Sequence, residues 1–199
     1  FNEEYKKLIN LLAETSKVTF KLLENLLTWA RLQRGELVYK PKKYPVFGFI
    51  SENFTQLKST AEAKNIVLAN KVPAECNAYF DADMLNTILR NLINNAIKYS
   101  YEGGEITVSA ETVNNMVAVR VKDSGVGIDN EQIKNMFRID VKQFSTEGTK
   151  GEIGSGLGLI LCKEFIIKMA GNIYVESRVG QGAEFIFTLP VESMATVEN

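Results

Sequence analysis

From about Asn2 to Arg34 the chain contains neither Gly nor Pro, and its apolar positions recur at helical spacing. Leu8, Leu12, Thr15, Thr19, Leu22, Leu26 and Trp29 step by four and three in turn, the alternation of a heptad seam. Ile9, Leu11, Val18, Leu23 and Leu27 widen that seam into a broad apolar face. A face of this width suits a helix of a bundle better than one strand of a two-stranded coil. Gly35 supplies a C-terminal stop. The other reading of the same pattern is a helix folded onto its own domain.

The rest of the chain alternates less regularly. Residues 36–44, with Pro41 and several lysines, read as a linker containing a short strand. A second helix is predicted from Pro45 to about Lys64, with Pro in its first turn. Strands at Val67–Val72 and Ala78–Phe80 precede a helix from about Ala82 to Tyr99. Ile106–Thr112 and Met116–Lys122 alternate as strands about an Asn114-Asn115 turn. A short helix (Asn130–Met136), a glycine-rich stretch (Phe144–Gly154), an apolar helix (Leu157–Ala170) and strands at Asn172–Ser177 and Ala183–Leu189 complete the pattern. Strand runs with helices interspersed predict an α/β fold, a two-layer sandwich with a mixed sheet, and not a doubly wound Rossmann sheet. The predicted division is a helix over 1–35, a linker over 36–44, the α/β domain over 45–192 and a tail over 193–199.

Composition narrows the function classes. Lys and Arg number 23 against 24 Asp and Glu, a net charge of −1, so nothing points to nucleic-acid or membrane-surface binding. No apolar run reaches the ~18–20 residues of a membrane span, and no signal peptide opens the sequence. It begins at Phe1 inside a helical pattern and reads as a piece of a longer protein, which can itself be membrane-anchored. Cys76 and Cys162 are far apart and form no C-x-x-C pair. Two buried, reduced thiols in a cytoplasmic protein are expected, with a disulfide as the alternative. There is no histidine.

The stretch LRNLINNAIKYS, Leu89 to Ser100, places three asparagines in a predicted helix, where the amide competes for backbone hydrogen bonds. At ~100° per residue, Leu85, Ile88, Leu89, Leu92, Ala96 and Tyr99 share an apolar arc, and Asp83, Arg90 and Asn94 lie opposite. Asn91, Asn95 and Lys98 form a narrow polar stripe at the border of that arc. An amide oxygen is a neutral, hard ligand that Mg²⁺ accepts beside phosphate oxygens and water. Lys98 can reach phosphate as a point charge. The bland alternative is a set of tolerated surface amides.

Glycine clusters add to this. DSGVGI, Asp123–Ile128, follows a strand, and its glycines let the backbone approach a flat ligand while Asp123 remains as an acceptor. GSGLGL, Gly154–Leu159, opens the apolar helix and exposes backbone N–H groups at its positive end. It is neither the dinucleotide fingerprint nor a Walker loop. GQG, Gly180–Gly182, is a further close-approach turn or a plain hairpin turn.

Taken in order, these stretches resemble the sequence boxes of histidine kinases. NLINNAIKYS is similar to the N box, DSGVGI to the G1 box, FRIDVKQF (Phe137–Phe144) to the F box and GSGLGL to the G2 box. VGQGAEFIFTLP (Val179–Pro190) is similar to the terminal glycine turn and strand, and NLLTWARLQRG (Asn25–Gly35) to the second helix of the dimerisation and phosphotransfer domain. The resemblance implies a Bergerat-type ATP site. Asp123 would accept from the adenine amino group, and the backbone at Gly125 and Gly127 would approach the base closely. Tyr99 and Ile128 would wall the pocket. Asn95 would ligate Mg²⁺, Asn91 would support the triphosphate or metal-bound water, and Lys98 would contact phosphate. Gly154, Ser155, Gly156, Leu157, Gly158 and Leu159 would form the phosphate-facing turn. Residues 145–154 would be a mobile lid, given Gly148, Gly151 and no apolar anchor between Ser145 and Glu152. Lys150 is either a γ-phosphate contact or a solvated lysine.

Related ATPases and serine kinases of the wider superfamily carry a Glu one turn before the metal-binding Asn, as general base. Here that position is Asn91, which takes no proton near neutral pH, so the resemblance favours phosphoryl transfer to a histidine over hydrolysis. The implied partners are an acceptor-histidine helix of the parent protein, a response-regulator receiver domain, and a second copy through residues 2–34. With the companion helix missing, Leu22, Leu26 and Trp29 are expected to lack cover. The chain holds no phosphoacceptor and is not expected to autophosphorylate. Ala183 departs from the Ser or Thr usual after the glycine turn. A catalytically silent, nucleotide-responsive interaction module is the alternative from a different class.

Overall fold

A computed structural model of the chain describes residues 3–138, 147–152 and 156–193. Helix α1 spans Glu3–Gln33. Its threonines are tolerated because Thr15, Thr19 and Thr28 hydrogen-bond the carbonyl four residues back, at 2.8–2.9 Å. Gly35 ends it at φ 70°, with Gly35 N–H donating to Leu32 O and Glu36 N–H to Arg31 O. Strand β1 (Lys42–Pro45) closes the linker, and α2 runs over Val46–Glu62. Pro45 is therefore the N-cap of α2 and not part of its first turn, because it pairs with Asn77 in the β1–β3 ribbon.

Strands β2 (Val67–Asn70), β4 (Glu105–Val113), β5 (Met116–Asp123), β6 (Ile173–Ser177) and β7 (Ala183–Pro190) form one sheet in the order β2-β4-β5-β7-β6. β2 and β4 pair in parallel and the remaining neighbours are antiparallel, so the sheet is mixed as expected. The parallel pair needs a crossover. β3 (Asn77–Phe80) and α3 (Ala82–Tyr99) provide it. β4 and β5 meet through Asn114 and Asn115, at φ 49° and 62°, the left-handed pair that a tight hairpin turn demands. Two helices complete the order, α4 (Asn130–Asn135) and α5 (Gly158–Lys168).

Helices α2, α3 and α5 pack together on one face of the sheet, giving the two layers. Ile88, Leu89, Leu92 and Ile93 of α3, Ile106 of β4, Ile166 of α5 and Phe187 of β7 are fully buried between them. Burial of each such side chain contributes about 1.5–3 kcal/mol. On the other face Arg120 ion-pairs with Glu111 at 2.9 Å and Glu184 at 3.5 Å. Cys76 and Cys162 are both free and buried. Among the described residues no helix is long and apolar enough to cross a membrane.

The last turns of the long helix fold onto the α/β core. Trp29 and Leu32 pack against the α/β core, and Gln33 reaches Glu164 of α5 at 3.5 Å. Trp29 is therefore partly covered by the α/β core, contrary to the expectation that it lacks cover, whereas Leu22 and Leu26 are exposed. Upstream, Leu8, Leu12, Leu23 and Leu27 are each more than half exposed.

Candidate functional site

Helix α3 is held at both ends. The Asp81 carboxylate caps its start, Oδ1 accepting from the backbone N–H of Asp83 and Met84 at 3.1 and 3.2 Å. Its Oδ2 accepts from Lys40 N–H at 2.9 Å, which ties the linker to the same helix. At the other end the buried Lys64 ammonium donates to Ile97 O and Lys98 O, at 2.8 and 2.9 Å. A cation on the last carbonyls suits the negative end of the helix dipole.

Between these fixed ends the faces fall as the periodicity predicts. Leu85, Ile88, Leu89, Leu92 and Ala96 are buried, Asp83, Arg90 and Asn94 exposed, and Asn91, Asn95 and Lys98 half-buried at the border. Tyr99 is half-buried and not core, and the buried arc also takes in Met84, Ile93 and Ile97. Asn91 Nδ2 donates to Thr87 O at 2.8 Å. Its Oδ1 faces the start of α5, where a Cβ on Gly158 would stand 2.7 Å away. Asn95 has no side-chain hydrogen bond among the described residues. Lys98 Nζ lies 3.0 Å from the Tyr99 hydroxyl and 4.7 Å from its ring centre.

The DSGVGI loop packs against the end of α3. Val126 N–H donates to Tyr99 O at 3.1 Å, and any Cβ on Gly125 would collide with that same carbonyl. Gly127, at φ 69°, has the Arg178 carbonyl where a Cβ would sit. Asp123 is 6% exposed, and its Oδ1 accepts from Gly125 N–H at 2.9 Å and Ala183 N–H at 3.1 Å. Its second oxygen takes no hydrogen bond from a described residue. Burial pushes this carboxyl above the usual aspartate range, against the opposing pull of the two N–H groups. Ile128 is half-buried against the core, its N–H donating to Ser177 Oγ at 2.8 Å.

The GQG turn proves to be both a hairpin turn and a close approach. It joins β6 to β7, and a Cβ on Gly182 would collide with the Asp123 carbonyl. Gly180 N–H donates to Val126 O at 2.7 Å. Ala183 thus serves Asp123 through its backbone, a contact that only proline at that position would remove. Ser177, Arg178 and Lys64 are supporting residues that the sequence reading missed. Their long-range contacts bridge 33 to 88 positions, beyond the reach of any local pattern.

Gly154 and Ser155, and residues 139–146 of the F-box stretch and lid, lie outside the described residues. Gly156 has φ 73°, and Leu157 is the N-cap of α5 with no side-chain cap bond, so no side chain of the cap takes up the first N–H groups of α5. Leu159 is half-buried on the core. Lys150 donates to Ala63 O at 3.2 Å and pairs with Glu102 at 3.4 Å.

Residues 80–193, more than half of the 199-residue chain, match the family model described as histidine kinase-, DNA gyrase B- and HSP90-like ATPase. The adaptive-response sensory kinase SasA of Crocosphaera subtropica is 33% identical over 93% of this chain, and the chain spans 48% of SasA. Full-length ShkA, solved with AMPPNP, superposes with a TM-score of 0.75 at 25% identity, over 98% of this chain and 41% of ShkA. Histidine kinase ThkA, solved with response regulator protein TrrA, shares the fold: TM-score 0.78 at 24% identity, over 96% of this chain and 53% of ThkA. The chain belongs to this ATPase family, and within it carries the catalytic ATP-binding domain of sensor histidine kinases.

Proposed function

We propose that this chain binds ATP with Mg²⁺ and delivers the γ-phosphoryl group to a histidine supplied from outside its sequence, for onward transfer to a response-regulator aspartate. The observation that carries the reading is the Asp123 carboxylate. Two backbone N–H groups aim it, glycines let the neighbouring backbone pack closely around it, and one oxygen remains to accept from an adenine amine.

The residues fit the ligands. Among the described residues no three His, Cys, Asp or Glu side chains converge on a metal position. The ligand available to Mg²⁺ is the amide oxygen of Asn95, completed by phosphate oxygens and water, a set that Mg²⁺ accepts. The metal would neutralise charge developing on the transferred phosphoryl group. Asn91, its Nδ2 tied to Thr87, would present Oδ1 toward metal-bound water or the triphosphate. Lys98 would supply positive charge, and Tyr99 and Ile128 would wall the base. The turn of Gly154, Ser155, Gly156, Leu157, Gly158 and Leu159, with the N–H groups at the start of α5, would cradle phosphate. No carboxylate stands at position 91 to take a proton from water, so hydrolysis lacks a general base on α3. The structure engages Lys150 with Ala63 and Glu102, which favours its reading as a lysine outside the phosphate site.

Residues 1–35 would belong to a dimerisation and phosphotransfer domain, 36–44 to a linker and 45–192 to the catalytic domain. The exposed leucines of α1 would pack against the acceptor-bearing helix and a second copy. SasA is named a sensory kinase, and ShkA was solved with AMPPNP, which supports this reading by similarity.

Calorimetric titration with AMPPNP, with Mg²⁺ and with EDTA, followed by a phosphate-release assay with ATP, tests the proposal. Metal-dependent binding with negligible release is expected. Brisk release would favour an ATPase, and no binding would leave an interaction module.

A further inference from the structure

Lys64 is 4% exposed, yet it is a lysine at the end of a surface helix with no place in the nucleotide site. An ammonium has three protons to donate. All three are used: Ile97 O at 2.8 Å, Lys98 O at 2.9 Å and Glu152 Oε1 at 2.8 Å. The first two are carbonyls at the end of the asparagine helix. The third belongs to the segment that leads, four residues later, to the glycine turn at Gly156.

Independent contacts join the same two elements. Thr149 N–H donates to Lys98 O at 3.1 Å, and its hydroxyl donates to Ser100 O at 2.8 Å. Lys150 N–H donates to Glu152 Oε2 at 2.8 Å, and Gly148 N–H to Glu152 O at 2.9 Å, which folds residues 148–152 into a compact turn. Gly148 lies so close to α3 that a Cβ would stand 2.5 Å from Lys98 Cγ. The anchors absent from this stretch in apolar form are therefore present in polar form.

We propose that Lys64 and Glu152 are positioning residues for the nucleotide site, holding the turn of residues 147–152 on the C-terminal end of α3 so that this turn and Lys98 keep one register. The inference rests on the ATP reading. Lys64 touches no nucleotide; it acts through the Ile97 and Lys98 carbonyls and through Glu152. A buried ammonium deprived of its carboxylate is costly, so the pair is expected to act as a unit.

The test measures AMPPNP affinity in the full chain, with thermal stability and hydrogen exchange of residues 147–152 alongside. Lys64→Met and Glu152→Ala are each expected to weaken binding by about tenfold, and the double variant no further, as for a coupled pair. Glu152→Gln, which keeps an acceptor for Lys64, is expected to recover part of the loss. Faster exchange at 147–152 is expected in the single variants. Unchanged affinity with a lowered Tm would reduce the pair to a structural brace and overturn the proposal, as would additive losses. If Lys64→Met does not fold, Glu152→Ala reads the same contact from its more exposed end. A wild-type chain that binds no AMPPNP overturns the ATP reading itself, whereas wild-type binding with unchanged variants overturns only the role of this pair.

Discussion

At the scale of single residues, Asp123 shows how burial and hydrogen bonding divide one side chain between two tasks. Oδ1 is spent on the Gly125 and Ala183 N–H groups, and Oδ2 is left for a ligand. Asp123→Asn keeps the shape and removes the charged acceptor, so AMPPNP affinity is expected to fall about ten- to a hundredfold, as for the loss of a hydrogen bond to a charged group. Burial raises this carboxyl above its unfolded value, so the ionised form is disfavoured in the fold. As pH falls through the raised value, the unbound chain loses the cost of a buried charge, while the adenine acceptor is lost. Affinity is therefore expected to decline at a higher pH than an ordinary aspartate allows, and a titration across mildly acidic pH should flatten in Asp123→Asn. Glu152 behaves oppositely. Partial burial raises its carboxyl, but the bonds from Lys64 and the backbone outweigh that and leave it below the usual range. Its contribution to stability is present above the ordinary glutamate range and lost as pH falls through the lowered value. Asn95→Ala is expected to abolish the difference between Mg²⁺ and EDTA titrations while sparing the Tm.

At the scale of elements, α3 is the part on which the site depends, and its ends matter as much as its face. Asp81 caps the helix with one oxygen and holds Lys40 with the other. Asp81→Ala is expected to cost about 1–2 kcal/mol from the cap alone, read as a drop in urea midpoint at unchanged slope. The Lys40 bond is lost with it, so the linker should become more open to proteolysis. The face of α3 was legible from the 3.6-residue period, including the half-buried stripe of Asn91, Asn95 and Lys98. Tyr99 departed from it: half-buried at the end of the helix, it gives its carbonyl to the DSGVGI loop and its hydroxyl to Lys98.

At the scale of the whole molecule, α1 both docks and projects. Trp29 and Leu32 join it to the α/β core, while Leu8, Leu12, Leu23 and Leu27 stay more than half exposed. Contiguous apolar surface of this kind promotes association. Light scattering over a wide concentration range is expected to show self-association that Leu8→Glu with Leu12→Glu suppresses, leaving AMPPNP binding intact. A strict monomer at every concentration would remove the dimer from the proposed function.

The sequence by itself determined the elements and their order, because hydrophobic period, Pro, Gly and paired Asn act over a few residues. The glycine motifs were visible for the same reason: a backbone that must turn left-handed or lie against another chain segment tolerates little else. Only the tertiary structure decided that the GQG turn closes over Asp123, that Ala183 serves through its N–H, and that Lys64 is buried beneath the segment carrying Glu152. Those contacts join positions 60 and 88 residues apart. Nothing in a local pattern distinguishes a lysine that will be buried and fully paired from one that will stay in water. Packing of the sheet and its helices makes that distinction, because it alone brings the acceptors within reach.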